Sequence, residues 1–253
     1  MELTGLEGKN ALVTGASRGI GKSVAKVLAK SGVKIVCCAR NWELLTGTCS
    51  EIEKDGGVAV PVQADVGLAS DRKRLIEEAI SSFGGIDLLV NNAGIHMAKS
   101  SLELEDEEFK QFMEINFFAM FSFAREIAKQ MIPRGGGKII NNGSFWGQLG
   151  VSKHLAYCVA KASIEAMTRV LAVEWARYNI HVNTIAPGHI MTDLSQPAME
   201  DEKLRNQILG RIPARRLGEP EEVAYLVAFL CSHEANYLTG HNYYIDGGQF
   251  ITW

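Results

Sequence analysis

The stretch Thr14-Gly15-Ala16-Ser17-Arg18-Gly19-Ile20-Gly21 lies between a strand-like run, Asn10-Ala11-Leu12-Val13, and apolar residues at helical spacing. A glycine-rich turn at a helix N-terminus presents backbone N–H groups and the positive end of the helix dipole, which suits a phosphate. Gly15 suits a tight turn, Gly19 a close approach of the backbone to a ligand, and Gly21 close packing of helix on strand. The stretch therefore predicts a phosphate site, although a glycine triplet alone is also typical of an ordinary loop.

The rest of the chain alternates strand-like and helical patterns. Strands are predicted over residues 11–14, 34–38, 58–62, 86–90, 138–142, 181–185 and 243–245. Helices are predicted over 19–31, 42–55, 69–83, 106–132, 153–178 and 219–231. Because parallel strands need crossover connections, the alternation predicts one α/β domain over residues 1–253: a doubly wound parallel sheet of Rossmann type, with seven strands and helices on both faces. The segment at about 191–212 interrupts the alternation and predicts a helical substrate lid.

Composition narrows the classes of function. The 253 residues carry a net charge of −3 without a basic tail, so nucleic acid is not expected as a partner. No apolar run approaches the roughly 18 residues of a membrane span, and the first residues lack the pattern of a secretion signal. The five cysteines form no C-x-x-C pair, and no H-E-x-x-H motif occurs. We therefore expect reduced thiols, no metal, no membrane partner and a cytoplasmic location.

Tyr157 and Lys161 are spaced i, i+4 at the start of a predicted helix and project from one face. An ammonium group near a phenol favours the phenolate and lowers the tyrosine pKa, which makes the phenol a better acid–base group at neutral pH. A serine within reach, such as Ser144, could then hold a carbonyl or alcohol oxygen. Taken alone, Tyr-x-x-x-Lys is a common pattern, and a solvated helix face is the simpler interpretation.

With the glycine turn, these residues make the chain resemble the short-chain dehydrogenase/reductase family along essentially its whole length. Asn116 precedes Ser144 by 28 residues, and Ser144 precedes Tyr157 by 13, as in that family. The other matching motifs are Thr14–Gly21, Asp65-Val66, Asn91-Asn92-Ala93-Gly94 and Pro187-Gly188 with Thr192. One departure is Asn142-Gly143-Ser144, where many relatives have Ile-Ser-Ser, and we expect the glycine to loosen the wall beside the serine.

The resemblance implies a role for each of the four catalytic candidates. Tyr157 would be the acid and base that exchanges a proton with the substrate oxygen, and Ser144 would hydrogen-bond that oxygen. Lys161 would lower the tyrosine pKa and bind the nicotinamide ribose. Asn116 would anchor a water molecule of the proton relay through a local distortion of its helix.

The resemblance also implies a nicotinamide cofactor, lined behind the fourth strand by Asn91, Ala93 and Gly94. Its binding residues would be Gly15, Ser17, Arg18, Gly19, Ile20, Gly21, Arg40, Asp65, Val66, Asn92, Ala93, Gly94, Tyr157, Lys161, Pro187, Gly188, Ile190 and Thr192. The second strand ends Cys37-Cys38-Ala39-Arg40-Asn41 without the acid that binds ribose hydroxyls in NAD sites. Arg18 and Arg40 are placed to bind a 2′-phosphate, which predicts NADP(H), although two ordinary surface arginines remain the alternative.

Aromatic residues directly after the serine suggest the character of the substrate pocket. Phe145 and Trp146 stand where relatives usually have small residues, and Met191 and Leu194 lie on the predicted lid. These four predict a narrow, apolar pocket that favours aryl or alkyl ketones. In the family, the loops that carry His96, His154 and His189 surround the substrate, and His96 and His154 complete the predicted pocket.

The predicted function is therefore NADP(H)-dependent reduction of a ketone, with a small carbonyl or alcohol as substrate. The resemblance also implies a homotetramer built through the two long helices and the last strand. A 3-oxoacyl-carrier-protein reductase is an alternative, weakened by Val173, where such enzymes tend to carry arginine. A gluconate-type sugar-acid dehydrogenase is favoured by the segment Arg211-Ile212-Pro213-Ala214-Arg215. A regulator that binds nucleotide without catalysis is the remaining alternative.

Overall fold

A computed structural model describes residues 3–193 and 195–252. Its strands are β1 (Asn10–Thr14), β2 (Lys34–Ala39), β3 (Val58–Gln63), β4 (Leu88–Asn91), β5 (Gly137–Asn142), β6 (Ile180–Pro187) and β7 (Asn242–Ile245). They form one parallel sheet in the order β3-β2-β1-β4-β5-β6-β7. The predicted doubly wound parallel sheet is confirmed, and every predicted strand lies within two residues of its observed bounds.

Helices cover both faces of this sheet. They are α1 (Gly19–Lys30), α2 (Trp42–Lys54), α3 (Ala69–Phe83), α4 (Asp106–Met113), α5 (Ala119–Met131), α6 (Leu155–Trp175), α7 (Gln196–Glu200), α8 (Glu202–Gly210) and α9 (Pro220–Cys231). Helices α1, α2 and α9 pack in one apolar core, and α3, α5 and α6 pack in the other. The adjacent Cys37 and Cys38 point into opposite cores, because neighbouring side chains of a strand alternate between its faces.

The strand order places a crevice beside β1. The chain winds from β1 outward to β3, then crosses back so that β4 pairs with the other side of β1. In open parallel sheets of this kind, ligands bind outside the carboxyl ends of the strands at the point where the winding reverses. The glycine turn follows β1 directly, so it lies at this point.

The predicted helix over 106–132 is interrupted in its middle. A π-helical turn, Glu114–Phe118, separates α4 from α5. Asn116 in this turn is fully buried, and its Nδ2 donates to the Phe112 carbonyl oxygen at 3.1 Å. Since a side-chain amide that bonds the carbonyl four residues back competes with the helical ladder, it accounts for the local widening. The predicted distortion at Asn116 is confirmed.

The lid segment contains two short helices where the sequence predicted one. Asp201 ends α7 and begins α8, because its extended backbone breaks the helix and its Oδ1 accepts from the Leu204 N–H at 2.9 Å. The segment is joined to the body by a bridge between Ile190 and Gly218. Leu194, a predicted lid residue, lies outside the described residues.

Within residues 3–193 and 195–252, no helix combines the length and the apolar character needed to cross a membrane.

Two helical glycines differ in the space around them and give a test of the turn. A Cβ on Gly21 in α1 would lie 2.1 Å from the Gly15 carbonyl oxygen, whereas one on Gly47 in α2 would meet nothing within 4 Å. We expect Gly21→Ala to lower the free energy of unfolding by about 1–3 kcal/mol, because backbone must shift. The matched Gly47→Ala should raise it by roughly 0.5–1 kcal/mol. Urea denaturation of both variants measures this, and a neutral Gly21→Ala would contradict the tight packing.

Candidate active site

The glycine turn is held by hydrogen bonds from the loop after β4. The Thr14 hydroxyl accepts from the backbone N–H groups of Asn92 and Ala93, both at 3.0 Å. The Asn92 Nδ2 donates to the carbonyl oxygens of Thr14 at 3.0 Å and Gly15 at 3.2 Å. These four bonds fix the carboxyl ends of β1 and β4 relative to each other.

The turn has the conformation that a bound pyrophosphate requires. Gly15 and Gly19 have φ angles of +67° and +52°, a region of backbone conformation that residues other than glycine rarely adopt. A Cβ on Gly15 would lie 2.8 Å from the Asn92 Nδ2. Helix α1 begins at Gly19 with no side chain bonded to its first N–H groups and no acid in its first turn. These residues fit the phosphates of a dinucleotide.

Of the two asparagines at the end of β4, Asn91 belongs to the core and Asn92 faces the crevice. Asn91 was expected beside the cofactor, but it is fully buried, and its Nδ2 donates to the Asn141 Oδ1 at 2.9 Å. That expectation is wrong, because the pleat at the end of β4 turns Asn91 inward and leaves Asn92 at the crevice. Gly94 lies against the other wall, since a Cβ there would be 2.8 Å from the Asn116 Oδ1.

The two arginines lie exposed beside the crevice, Arg18 just before α1 and Arg40 just after β2. The Arg18 side chain is 67% exposed, and that of Arg40 is 64% exposed. Arg18 Nη1 lies 3.9 Å from Asp193 Oδ2, and Arg40 Nη1 lies 3.8 Å from Asp65 Oδ2. Ion pairs this long and exposed add little stability, so both guanidinium groups can reorient toward a ligand.

Asp65 and Val66 lie in the loop between β3 and α3. The Asp65 Oδ1 accepts from the Gly67 N–H at 2.9 Å, which closes the turn after β3. The buried Val66 carbonyl accepts from Arg72 Nη1 at 2.7 Å. Ser17 is tied from outside, because its carbonyl accepts from the Thr48 hydroxyl at 3.4 Å. Ile20 packs against the core under α1.

The loop after β6 lies against the glycine turn. Position 188 has no room for a side chain, since a Cβ on Gly188 would lie 2.7 Å from the Cβ of Asp246. Past Pro187, the chain continues through the buried Ile190 to Thr192, whose backbone N–H donates to the Ser195 hydroxyl at 2.9 Å. The Thr192 methyl lies 3.2 Å from the position that a Cβ on Gly19 would take. The structure thus brings the predicted carboxamide-binding loop and the phosphate turn together.

Ser144 follows β5, and Tyr157 and Lys161 face it from the start of α6. The Ser144 hydroxyl accepts from the Trp146 N–H at 3.2 Å. Lys161 Nζ lies 5.5 Å from the centre of the Tyr157 ring and donates to the Asn142 carbonyl at 2.7 Å. All three side chains therefore converge at the carboxyl edge of the sheet, next to the glycine turn.

Burial dominates the protonation of this pair in the chain by itself. It raises the pKa of Tyr157, an effect that the side chain of Ser144 partly opposes. It lowers the pKa of Lys161 to about 8. In the chain without cofactor, burial is thus the largest effect on the tyrosine pKa and keeps the phenol protonated at neutral pH, and the lowering of that pKa by Lys161 stays a prediction.

The wall beside Ser144 is closely packed at Gly143, where the sequence predicted a loosened wall. A Cβ on Gly143 would lie 2.6 Å from the Thr184 methyl, so Thr184 already fills the space. The short turn Phe145–Gln148 packs on α6, and Gln148 Nε2 donates to Glu165 Oε2. Glu165, a buried residue two turns after Tyr157 on the same helix, was not predicted from the sequence.

Trp146 is the centre of a cluster of rings around the reacting residues. Its ring lies 5.7 Å from that of Tyr157, 4.8 Å from His154, 6.2 Å from His96 and 6.3 Å from His189. Three histidines pack around the tryptophan, so the predicted pocket has more polar neighbours than the aromatic residues alone indicated. These neighbours come from the three loops that the family resemblance placed around the substrate.

The two remaining described pocket residues take different positions. Phe145 is buried, and its ring centre lies 5.9 Å from that of His189. Met191 is partly exposed and is held through its backbone N–H, which donates to the Gly218 carbonyl at 2.8 Å. Gln249, a fully buried residue whose side-chain amide lies 2.9 Å from His189 Nδ1, was also not predicted from the sequence. Sixty residues separate this pair, so no local pattern could have indicated it.

No cluster of three or more His, Cys, Asp or Glu side chains suited to a metal ion occurs in the part of the chain that the structure describes. The five cysteines carry free thiols, and four of them are buried.

Comparison with known proteins supports the interpretation of this geometry. The model of a family described as enoyl-(acyl carrier protein) reductase matches residues 15–249. A 3-oxoacyl-(acyl-carrier-protein) reductase of Vibrio cholerae is 39% identical over 97% of this chain and 99% of its own. An NAD-dependent glycerol dehydrogenase of Listeria innocua is 37% identical over 96% of this chain and 94% of its own.

A solved structure with NADP bound has the same fold. It is provisionally described as a 2-deoxy-D-gluconate 3-dehydrogenase from Agrobacterium tumefaciens. It superposes with a TM-score of 0.90 and 36% identity, covering 97% of this chain and 98% of that one. The arrangement of turn, serine, tyrosine and lysine, together with these matches, identifies the chain as a member of the short-chain dehydrogenase/reductase family of nicotinamide-dependent oxidoreductases.

Proposed function

We propose that this oxidoreductase interconverts a ketone and a secondary alcohol with NADP(H) as its cofactor. The observation that carries the proposal is the convergence of Ser144, Tyr157 and Lys161 beside the glycine turn. A bound nicotinamide supplies or accepts the hydride. The chain's own residues bind the substrate oxygen and move the proton.

The proton donor in the direction of reduction is Tyr157. Burial raises its pKa, so the phenol carries its proton at neutral pH and can give it to the oxygen of a carbonyl. The Ser144 hydroxyl holds the same oxygen and stabilises the charge that develops on it. The Lys161 ammonium stabilises the phenolate that remains after proton transfer. Asn116, fixed in its π-helical turn, holds the far end of the proton relay.

Preference for NADP(H) is supported by charge at the end of β2. No acid follows this strand, and the exposed Arg18 and Arg40 can both reach a 2′-phosphate. The proposed holders of the phosphates are Gly15, Ser17, Gly19, Ile20 and Gly21. The adenine would lie against Asp65 and Val66, and the nicotinamide ring and ribose against Asn92, Ala93, Gly94, Lys161, Pro187, Gly188, Ile190 and Thr192.

Further parts of the proposal concern the whole chain. We propose that residues 1–253 form one domain whose lid at about 191–212 closes over a small carbonyl or alcohol. A homotetramer is supported by apolar side chains left exposed on the long helices, Phe118, Val170 and Val173. A cytoplasmic location agrees with the free thiols.

A 3-oxoacyl thioester is the second candidate substrate, favoured by identity to the Vibrio reductase. Measurement of NADPH oxidation with β-ketoacyl thioesters, keto sugar acids and aryl ketones tests both candidates. Turnover of no carbonyl compound would contradict the proposed function and favour a binding role instead.

Replacement of Tyr157 by phenylalanine tests the assignment of the proton donor. We expect at least about a 100-fold fall in kcat, since general acid catalysis typically contributes this much. NADPH binding, followed by its fluorescence, should stay near that of the parent. Tyr225→Phe is the matched control, because Tyr225 is 63% exposed on α9. Residual turnover near the parental rate would contradict the assignment.

Lys161→Met tests the burial of the ammonium group. A lysine whose pKa falls to about 8 on folding binds fewer protons in the folded chain than in the unfolded chain between pH 8 and 10. The free energy of unfolding should therefore rise with pH in this window, by up to about 3 kcal/mol, and the Met variant should lack that rise. Urea denaturation of the cofactor-free chain at several pH values measures the difference. Parallel pH profiles for parent and variant would contradict the lowered pKa.

Arg40→Ser tests the cofactor preference. Loss of a charge-assisted phosphate contact worth about 1.5–3 kcal/mol should lower the ratio of NADPH to NADH affinity at least about tenfold. Adding Ala39→Asp should lower it further, and Arg125→Ser, on the exposed face of α5, should leave it unchanged. A parent that uses both cofactors equally would contradict the role of the arginines.

A further inference from the structure

Two histidine rings are each held by a hydrogen bond at Nδ1. His154 Nδ1 lies 2.7 Å from the Ser152 carbonyl oxygen, and His189 Nδ1 lies 2.9 Å from the side-chain amide of Gln249. Since a backbone carbonyl oxygen has no hydrogen to give, the His154 Nδ1 carries the hydrogen, whereas an amide group can bond either tautomer of His189. In both rings, Nε2 is the nitrogen that this bond leaves free.

The Nε2 atoms of both rings form no hydrogen bond within residues 3–193 and 195–252. Both rings pack against Trp146, whose own ring lies 5.7 Å from Tyr157. Burial lowers the pKa of His189, and nearby Arg211 lowers it further, so this ring stays neutral near pH 7 although its bond to Gln249 acts in the opposite direction.

A third unmatched group belongs to the same cluster. The Trp146 Nε1–H is buried and has no acceptor among the described residues. Buried polar groups without partners are uncommon, and at a site they point to a ligand that provides the missing bond. Two imidazole Nε2 atoms and one indole N–H therefore belong to the ring cluster beside the catalytic tyrosine.

We propose that the substrate carries hydroxyl groups next to its reacting carbonyl, and that His154, His189 and Trp146 recognise them. A hydroxyl both donates and accepts, so it can satisfy an imidazole Nε2 and an indole N–H, which a methyl group cannot. This inference rests on the proposed reduction of a ketone and adds the chemical class, a small polyhydroxylated carbonyl compound. A site built to bond a hydroxyl rejects the analogue that lacks it, because its own polar groups are left unpaired.

Two ketones of the same size test the inference. In 1,3-dihydroxyacetone, hydroxyl groups stand where 3-pentanone has methyl groups. We expect the parent to show at least a tenfold higher kcat/KM for dihydroxyacetone, measured by NADPH oxidation. His189→Phe and His154→Phe should each lower kcat/KM for dihydroxyacetone at least fivefold, with less than a twofold change for 3-pentanone.

The matched control is His241→Phe. Its Nδ1 also lies 2.8 Å from a carbonyl oxygen two residues earlier, that of Thr239, but His241 lies at the amino end of β7, away from Trp146. This variant should leave both substrates unchanged. Retained NADPH binding and an unchanged Tm in each variant exclude loss of folding as the cause.

Equal or better reduction of 3-pentanone by the parent would overturn the inference while leaving the proposed function intact. An equal fall for both ketones in the histidine variants would also overturn it. A parent that reduces neither these ketones nor the wider panel would overturn the proposed function itself.

Discussion

A chain of hydrogen bonds across the carboxyl edge of the sheet holds the active site together. Asn92 Nδ2 bonds the turn at Thr14 and Gly15, and Asn92 Oδ1 accepts from Asn142 Nδ2 at 2.9 Å. The Asn142 carbonyl in turn accepts from Lys161 Nζ at 2.7 Å. The ends of β1, β4 and β5 and the start of α6 are thus joined by hydrogen bonds of amide groups and one ammonium group. Because each of these bonds is largely shielded from water, breaking one leaves a polar group without a partner.

The same chain of bonds carries a cost in stability. Lys161 is 4% exposed. Its ammonium donates to one carbonyl oxygen but to no carboxylate among the described residues, so its charge is only partly compensated. A partner acid would raise its pKa and stabilise the fold, but it would also neutralise the field that stabilises a phenolate on Tyr157. The proposed role of Lys161 therefore accounts for a buried ammonium that bonds a carbonyl oxygen and not a carboxylate.

The sequence was informative where the constraint is local. The glycine turn, the alternation of strands and helices, and the spacing of Tyr157 and Lys161 all depend on residues within a few positions of one another, and the structure has each of these features. The π-helical turn at Asn116 followed from the family resemblance and not from periodicity, because the widening arises from one side chain that bonds the Phe112 carbonyl. Asn91 and Asn92 show the limit of the motif, since the pleat of β4 decides which of the two faces the crevice.

The pocket could not be derived in the same way, because an aromatic residue takes its character from its neighbours. Trp146 was interpreted as an apolar wall, yet the rings around it come from the loops that carry His96, His154 and His189. The His189 ring is held by Gln249, sixty residues away, a contact that no local pattern indicates. Two aromatic residues after a serine are therefore compatible with either an apolar or a hydroxyl-binding site. The difference lies in the polar groups that long-range contacts bring to the rings, which a local motif does not contain.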